Sequence, residues 1–146
     1  MSIYTIGFTQ KKAETFFSLL AAHQVTRLID VRLNNVSQLA GFAKRDDLKY
    51  FMQAICNADY IHEPLLAPEQ KVLKAYKAGD MTWLDYEARF LDLMAKRQVE
   101  TKFAPQDLEG ACLLCSEHKP HHCHRRLVVE YLNTHWQTRL EVKHLL

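Results

Sequence analysis

ACLLCSE, residues 111–117, sets five apolar residues in a row before Ser116 and Glu117, with nothing polar interleaved. A strand with one face in water would alternate, so a run this short and uninterrupted fits a central strand of a parallel sheet, buried on both faces. HKPHH, residues 118–122, then reads as a turn. CHRR opens a segment with Leu127, Val128, Tyr131 and Leu132 on one helical face.

The alternation of strand and helix extends outward from there. IYTIGF (3–8) is β-branched and aromatic, and KKAETFFSLLAAHQ (11–24) places Ala13, Phe16, Phe17 and Leu20 on one helical face. TRLIDVR (26–32) is a second apolar run. RDDLKYFMQAICNA (45–58) reads as a helix with Leu48, Phe51, Met52 and Ile55 inward, capped by Asp46 or Asp47, and with Cys56 as a small buried hydrophobe. DYIHE (59–63) is a short strand closed by the proline of EPLLAP. PEQKVLKAYKAG (68–79) is a helix stopped by Gly79. Thr82 and Asp85 form a capping box for WLDYEARFLDLMAKR, whose Trp83, Tyr86, Phe90, Leu93 and Met94 read as core. FAPQDLEG (103–110) reads as a loop, and RLEVKHLL (139–146) as an edge strand. Because crossovers between parallel strands are right-handed, this pattern implies a single α/β domain over residues 1–146. It should be a three-layer sandwich with a mainly parallel sheet of about five strands and helices on both faces.

Composition sets limits on function. The chain has 146 residues, 48% hydrophobic and 25% charged, which suits one globular core. A net charge of +2 and a pI near 8.3 are too mild for a dedicated nucleic-acid binder. There is no basic leader with an apolar run and no membrane-length stretch, so the expected location is the cytoplasm and no membrane partner is expected. Four cysteines in a reducing compartment are free thiols or ligands rather than a disulfide scaffold.

In such sheets ligands bind beyond the carboxyl ends of the strands. Gly7 and Thr9 follow the first strand; Asp30 and Arg32 end the second on a shared side. His62 and Glu63 end the third. Cys115 and Glu117 end the fourth, and Cys123, His124 and Arg125 begin the next helix. So many polar groups are costly at one crevice unless they pair or bind something, which points to a site.

The segments TIGFT (5–9), DVR with Ser37 beyond it, and LLCSEHKPHHCHR (113–125) resemble the family catalogued as domain of unknown function 488. The matching positions are Thr5, Ile6, Gly7, Asp30, Val31, Arg32, Ser37, His62, Leu65, Leu114, Cys115, Glu117, Pro120, Cys123, His124 and Arg125. Thr9 stands where the family usually has Ser, Asn35 where Pro is common, and Leu66-Ala67 where it has Gly-Gly. Losing those glycines argues against close backbone approach to a ligand at that loop. The resemblance implies a fold and a site without prescribing a reaction or a cofactor.

Three chemistries compete at this site. Cys112 and Cys115 are three apart, so a continuous strand points them to opposite faces and they cannot share a metal; Cys112 is expected in the core. A smaller Cys/His metal site from Cys115, Cys123, His124 and His62 stays open, though no zinc-finger spacing supports it. A thiol site fits better, with Cys115 as nucleophile or redox thiol and Asp30, Glu117 and His124 as acid, base or orienting groups. A phosphate-like anion would sit at the last helix's N-terminus near Arg32 and Arg125, with Cys123, His62, Gly7 and Thr9 around it. His124 shares a face with Leu127, Val128 and Tyr131, so it points toward the sheet, where a carbonyl or Asp30 is in reach. Arg32 is equally placed to pair with Asp30 or Glu117. His118, His121 and His122 read as an exposed loop.

The expected function is thiol-dependent chemistry on a small anionic, phosphate- or nucleotide-like molecule. The alternative is a binding module for nucleic acid or a regulatory ligand. Nucleic acid has thin support from Lys44, Arg45, Lys119, Arg125 and Arg126. The sequence specifies neither cofactor nor oligomeric state.

Overall fold

The computed structural model describes residues 1–36, 41–117 and 119–146; Ser37 and His118 lie outside them. In chain order the main elements are β1 (Ser2–Gly7), α1 (Ala13–Ala22), β2 (Arg27–Asp30), α2 (Arg45–Phe51), β3 (Asp59–His62), α3 (Gln70–Lys77) and α4 (Trp83–Arg97). They continue with α5 (Val99–Lys102), α6 (Pro105–Leu108), β4 (Ala111–Cys115), α7 (His124–His135) and β5 (Glu141–Leu145). The five strands form one all-parallel sheet in the order β3-β2-β4-β1-β5.

β4 is buried at all five positions and pairs on both edges, with β1 through Gly7↔Cys115 and with β2 through Asp30↔Leu114. Its side chains divide between two cores, as strand geometry demands. Cys112 and Leu114 face a core with Phe16, Phe17, Leu20, Leu28, Leu48 and Met52. Leu113 and Cys115 face another with Tyr86, Phe90, Met94, Leu127 and Leu132. The handedness rule explains this division. From β1 to β2 and β3 the chain moves toward one edge, whereas β3 to β4 and β4 to β5 move back toward the other. Right-handed crossovers in opposite directions lie on opposite faces. α1 leaves the end of β1 and α7 leaves the end of the adjacent β4 on different faces.

Several local readings need correction. Lys44, not Asp46 or Asp47, stands at the N-cap of α2, and the two aspartates fall in its first turn, where they favour the helix dipole. Beyond Phe51 the helix widens into a π-turn over Met52–Cys56. The extra residue per turn rotates Ile55 outward, to 53% exposure, and leaves Cys56 half-buried. FAPQDLEG is not a plain loop, because Pro105 starts the single turn of α6 and Asp107 caps it by accepting the Ala104 N–H. At α4, Thr82 Oγ1 accepts the Asp85 N–H as expected. Leu66 and Ala67 are buried under α4, and Arg97 donates to the carbonyls of Leu65 and Ala67, so side chains fill the space that glycines would leave.

Candidate functional site

Gly7 fixes how closely β1 approaches the turn after β4. A Cβ there would overlap the Glu117 carbonyl oxygen and lie 2.9 Å from Arg125 Nη1. With no Cβ in the way, the Glu117 carbonyl comes down over β1 and accepts from Arg125 Nη1. The Thr9 N–H donates to the Ser116 carbonyl and ties the same turn to the end of β1. Arg125 is wholly buried. Its Nε donates to Thr5 Oγ1 at 3.2 Å and its Nη1 to Cys123 Sγ at 3.6 Å. Arg125 was expected to bind the anion; instead its guanidinium lies inside the protein and braces the turn.

The second strand end is equally committed. Arg32 forks onto Asp30, with Nε to Oδ1 at 2.9 Å and Nη2 to Oδ2 at 2.8 Å, and its backbone N–H reaches Oδ1 at 3.1 Å. The Tyr60 hydroxyl donates to Oδ2 at 2.6 Å and accepts from Asn35 Nδ2. Four donors thus occupy the Asp30 carboxylate, which is fully buried and orients Arg32. Arg32 Nη2 also donates to the Ala43 carbonyl, and its guanidinium lies over the Phe8 ring. Arg32 Nη1 is buried and, among the described residues, has no hydrogen-bond partner. His62 Nε2 is bonded to the Arg32 carbonyl at 2.8 Å, away from the thiols.

Between these anchors sit Cys115, Cys123 and His124, all buried, with their ligand atoms within 4.8 Å of one another. His124 Nε2 lies 2.6 Å from the Val31 carbonyl. A carbonyl only accepts, so Nε2 carries the proton. Cys115 Sγ lies 3.6 Å from Nδ1 and 3.8 Å from Nε2. Helical periodicity pointed His124 at the sheet, and the carbonyl of β2's successor residue is what it meets. The neighbouring Cys123 thiol, whose sulfur lies within 4.8 Å, is the main cause holding the Cys115 thiol below its usual pKa. Burial opposes it, the Ser116 N–H and Arg125 add to it, and Asp30 works against it. Burial and the neighbouring Cys115 push Cys123 well above the ordinary value. Cys112, on the opposite face, is raised by burial.

A cavity of about 310 Å³ opens on this cluster. Of the expected site residues, Arg32, Cys115, Glu117, Cys123 and His124 line it, while Asp30, Arg125, His62, Gly7 and Thr9 do not. Glu117 presents an exposed side chain at the rim, although its carbonyl is held. His121 and His122 are exposed as expected, with His122 stacked on Trp83 at 4.8 Å. Tyr76 and Tyr86 form an aromatic wall; Tyr86 was read only as core, and Tyr76 was not singled out. Tyr60, Phe8 and the main-chain carbonyl of Val31 were also missed. The available signals were the Thr5-x-Gly7 and Tyr60-x-His62 spacings, which put each pair on one side of its strand.

Two thiols and an imidazole are donors that suit a soft metal ion. The wholly buried Arg125 cation, 3.6 Å from Cys123 Sγ, disfavours a dication there, and the tautomer and thiol pairing fit a protonic site better.

Comparison with known proteins adds a family and no activity. No curated protein and no solved structure matches the chain. A family profile matches residues 12–132, a span that contains DVR and CSEHKPHHCHR but not TIGFT. On that match over most of its length, the chain belongs to the family described as domain of unknown function DUF488.

Proposed function

We propose that the protein carries out thiol-dependent chemistry on a small anionic molecule held in the cavity at the strand ends. The observation that carries this reading is a Cys115–His124–Val31 carbonyl series on the same cavity as Arg32, whose Nη1 has no hydrogen-bond partner among the described residues. In it Cys115 is the nucleophile, His124 Nδ1 takes its proton, and the Val31 carbonyl holds the ring in the required tautomer. The Cys123 S–H steadies the thiolate. Arg32 Nη1 binds the anion, and Asp30 and Tyr60 hold Arg32 in place for it. Glu117, at the rim, is the remaining group able to exchange protons with solvent. A free thiol pair also suits a reducing compartment such as the cytoplasm.

Nucleic acid fits this surface less well. Arg125 is buried, Arg126 pairs with Glu87 and Glu130, and Arg45 pairs with Asp46. Among the described residues no helix is long and apolar enough to cross a membrane.

The test is alkylation of Cys115 by iodoacetate and by neutral iodoacetamide across a pH series, read by peptide mass spectrometry. The expected profile has its inflection below that of an ordinary cysteine, with the iodoacetate rate raised relative to iodoacetamide and suppressed by inorganic phosphate. Alkylation at Cys115 no faster than at an unperturbed thiol, with no charge preference, would refute the reading.

A further inference from the structure

We infer that Cys115 and Cys123 act as a pair that reduces a small anionic disulfide by two electrons, an inference that rests on Cys115 being the nucleophile. Both thiols are free, both line the cavity, and both belong to the trio whose donor atoms lie within 4.8 Å. A nucleophile alone does not need a second buried thiol beside it. Cys123 stands just before α7, at φ −137° and ψ 136°, so it rides on the end of the turn rather than inside the helix. Sulfur atoms this close need a modest shift to reach bonding distance of about 2.05 Å. Arg125 Nη1, already 3.6 Å from Cys123 Sγ, and the N-terminus of α7 would both favour negative charge on Cys123 once Cys115 has given up its own.

The electron count closes. The Cys115 thiolate attacks one sulfur of the substrate RS–SR, forming a Cys115–S–S–R bond and expelling RS⁻, which takes up the proton that His124 Nδ1 had accepted from Cys115 and so frees Nδ1 again. Cys123 then loses its proton to His124 Nδ1 and attacks Cys115 Sγ. The S–S bond to R breaks, the second RS⁻ leaves, and a Cys115–Cys123 disulfide remains. The substrate has gained two electrons and becomes two thiols after protonation; the protein has lost two. An external dithiol returns the pair to its reduced form by the same exchange in reverse. Charge on R is selected by Arg32, which lines the cavity and whose buried Nη1 has no partner among the described residues. The wall of Tyr76 and Tyr86 packs against its apolar part.

The experiment uses the full chain with Cys56→Ser, which removes the half-buried thiol on the other face. Two probes of similar length are compared, dithiodiglycolate, a dianion, and 2-hydroxyethyl disulfide, which is neutral. Mass spectrometry of the quenched protein should show an internal Cys115–Cys123 disulfide with no probe retained. Cys123→Ser, and Cys123→Ala as a second variant, should stop at a mixed disulfide on Cys115. The dianion should react about tenfold faster than the neutral probe, the size of one charge-assisted hydrogen bond. If the parent also stops at the mixed disulfide, the pairing is refuted while the nucleophile stands. Equal rates for the two probes refute the anionic substrate. If neither variant nor parent forms any adduct and iodoacetate also fails to label Cys115, the underlying reading of the site falls as well.

Discussion

Replacing Gly7 by alanine should unfold the site from the backbone outward. The added methyl would overlap the Glu117 carbonyl oxygen and lie 2.5 Å from its carbon, both main-chain atoms that cannot rotate aside. Either β1 leaves its register with β4 at Gly7↔Cys115, or the Glu117 peptide lifts and releases Arg125 Nη1. Overpacking of this kind costs about 1–3 kcal/mol. Losing a hydrogen bond to a buried cation adds about 1.5–3 kcal/mol. The sum, about 2.5–6 kcal/mol, is a large part of the roughly 5–15 kcal/mol by which domains of this kind are stable. With a urea m-value of about 2 kcal/mol/M, the unfolding midpoint should fall by about 1.3–3 M. Gly41→Ala is the control, because among the described residues nothing lies within 4 Å of its added methyl. It shares the change in unfolded-chain entropy without the clash and should stay within about 0.5 kcal/mol of the parent. Far-ultraviolet circular dichroism during urea titration reports both. A Gly7→Ala midpoint as close to the parent as that of Gly41→Ala would refute the argument that the Glu117 carbonyl requires a glycine.

Two further outcomes follow from buried polar groups. Asp30→Asn strips the charge from a pair whose side chains are 0% and 3% exposed and leaves Arg32 uncompensated, so urea titration should show a loss of about 3–5 kcal/mol; under 1 kcal/mol would contradict the network. His144 is held below its ordinary pKa chiefly by burial, then by Arg125, Arg126 and His121, with Glu130 opposing. Thr5 Oγ1 accepts from Arg125 Nε and lies 2.6 Å from His144 Nδ1, and donation of the hydroxyl proton to that nitrogen favours the neutral ring. The unfolded chain therefore takes up this proton first. Stability should be full above about pH 6.5 and decline as pH falls through the folded value. His144→Gln should flatten that decline in urea midpoints compared at pH 7.5 and pH 5, and an unchanged slope would show that His144 does not cause it.

What the sequence revealed about the site depended on how local each relation was. ACLLC declared a strand buried on both faces because an unbroken apolar run has few other uses, and the two-residue spacing of Asp30 and Arg32 put them on one side for geometric reasons. The direction of His124 followed from its helical neighbours. Arg125, one residue on, turned about 100° further round the helix and into the gap above Thr5, and its destination depended on the path of a turn that periodicity does not encode. Gly7 matched the family pattern, yet its partner is a carbonyl more than a hundred residues away. Tyr60 looked like an ordinary strand aromatic until the register of β3 on β2 brought its hydroxyl to Asp30. The π-turn that exposes Ile55 has no local signature among helix-forming residues.

The strand order also governs when the chemistry can exist. β1 is synthesised well before both of its neighbours in the sheet, β4 and β5. β2 can pair with β3 early, but its other edge also waits for β4. Until Ala111–Cys115 arrives, the nascent chain carries open strand edges and no crevice, a state that invites chaperone binding and makes folding slow. Insertion of that one strand joins the two halves of the sheet. The same event brings Cys115 beside Val31, and α7 then adds Cys123 and His124, so the proposed thiol site cannot assemble in a chain truncated before α7.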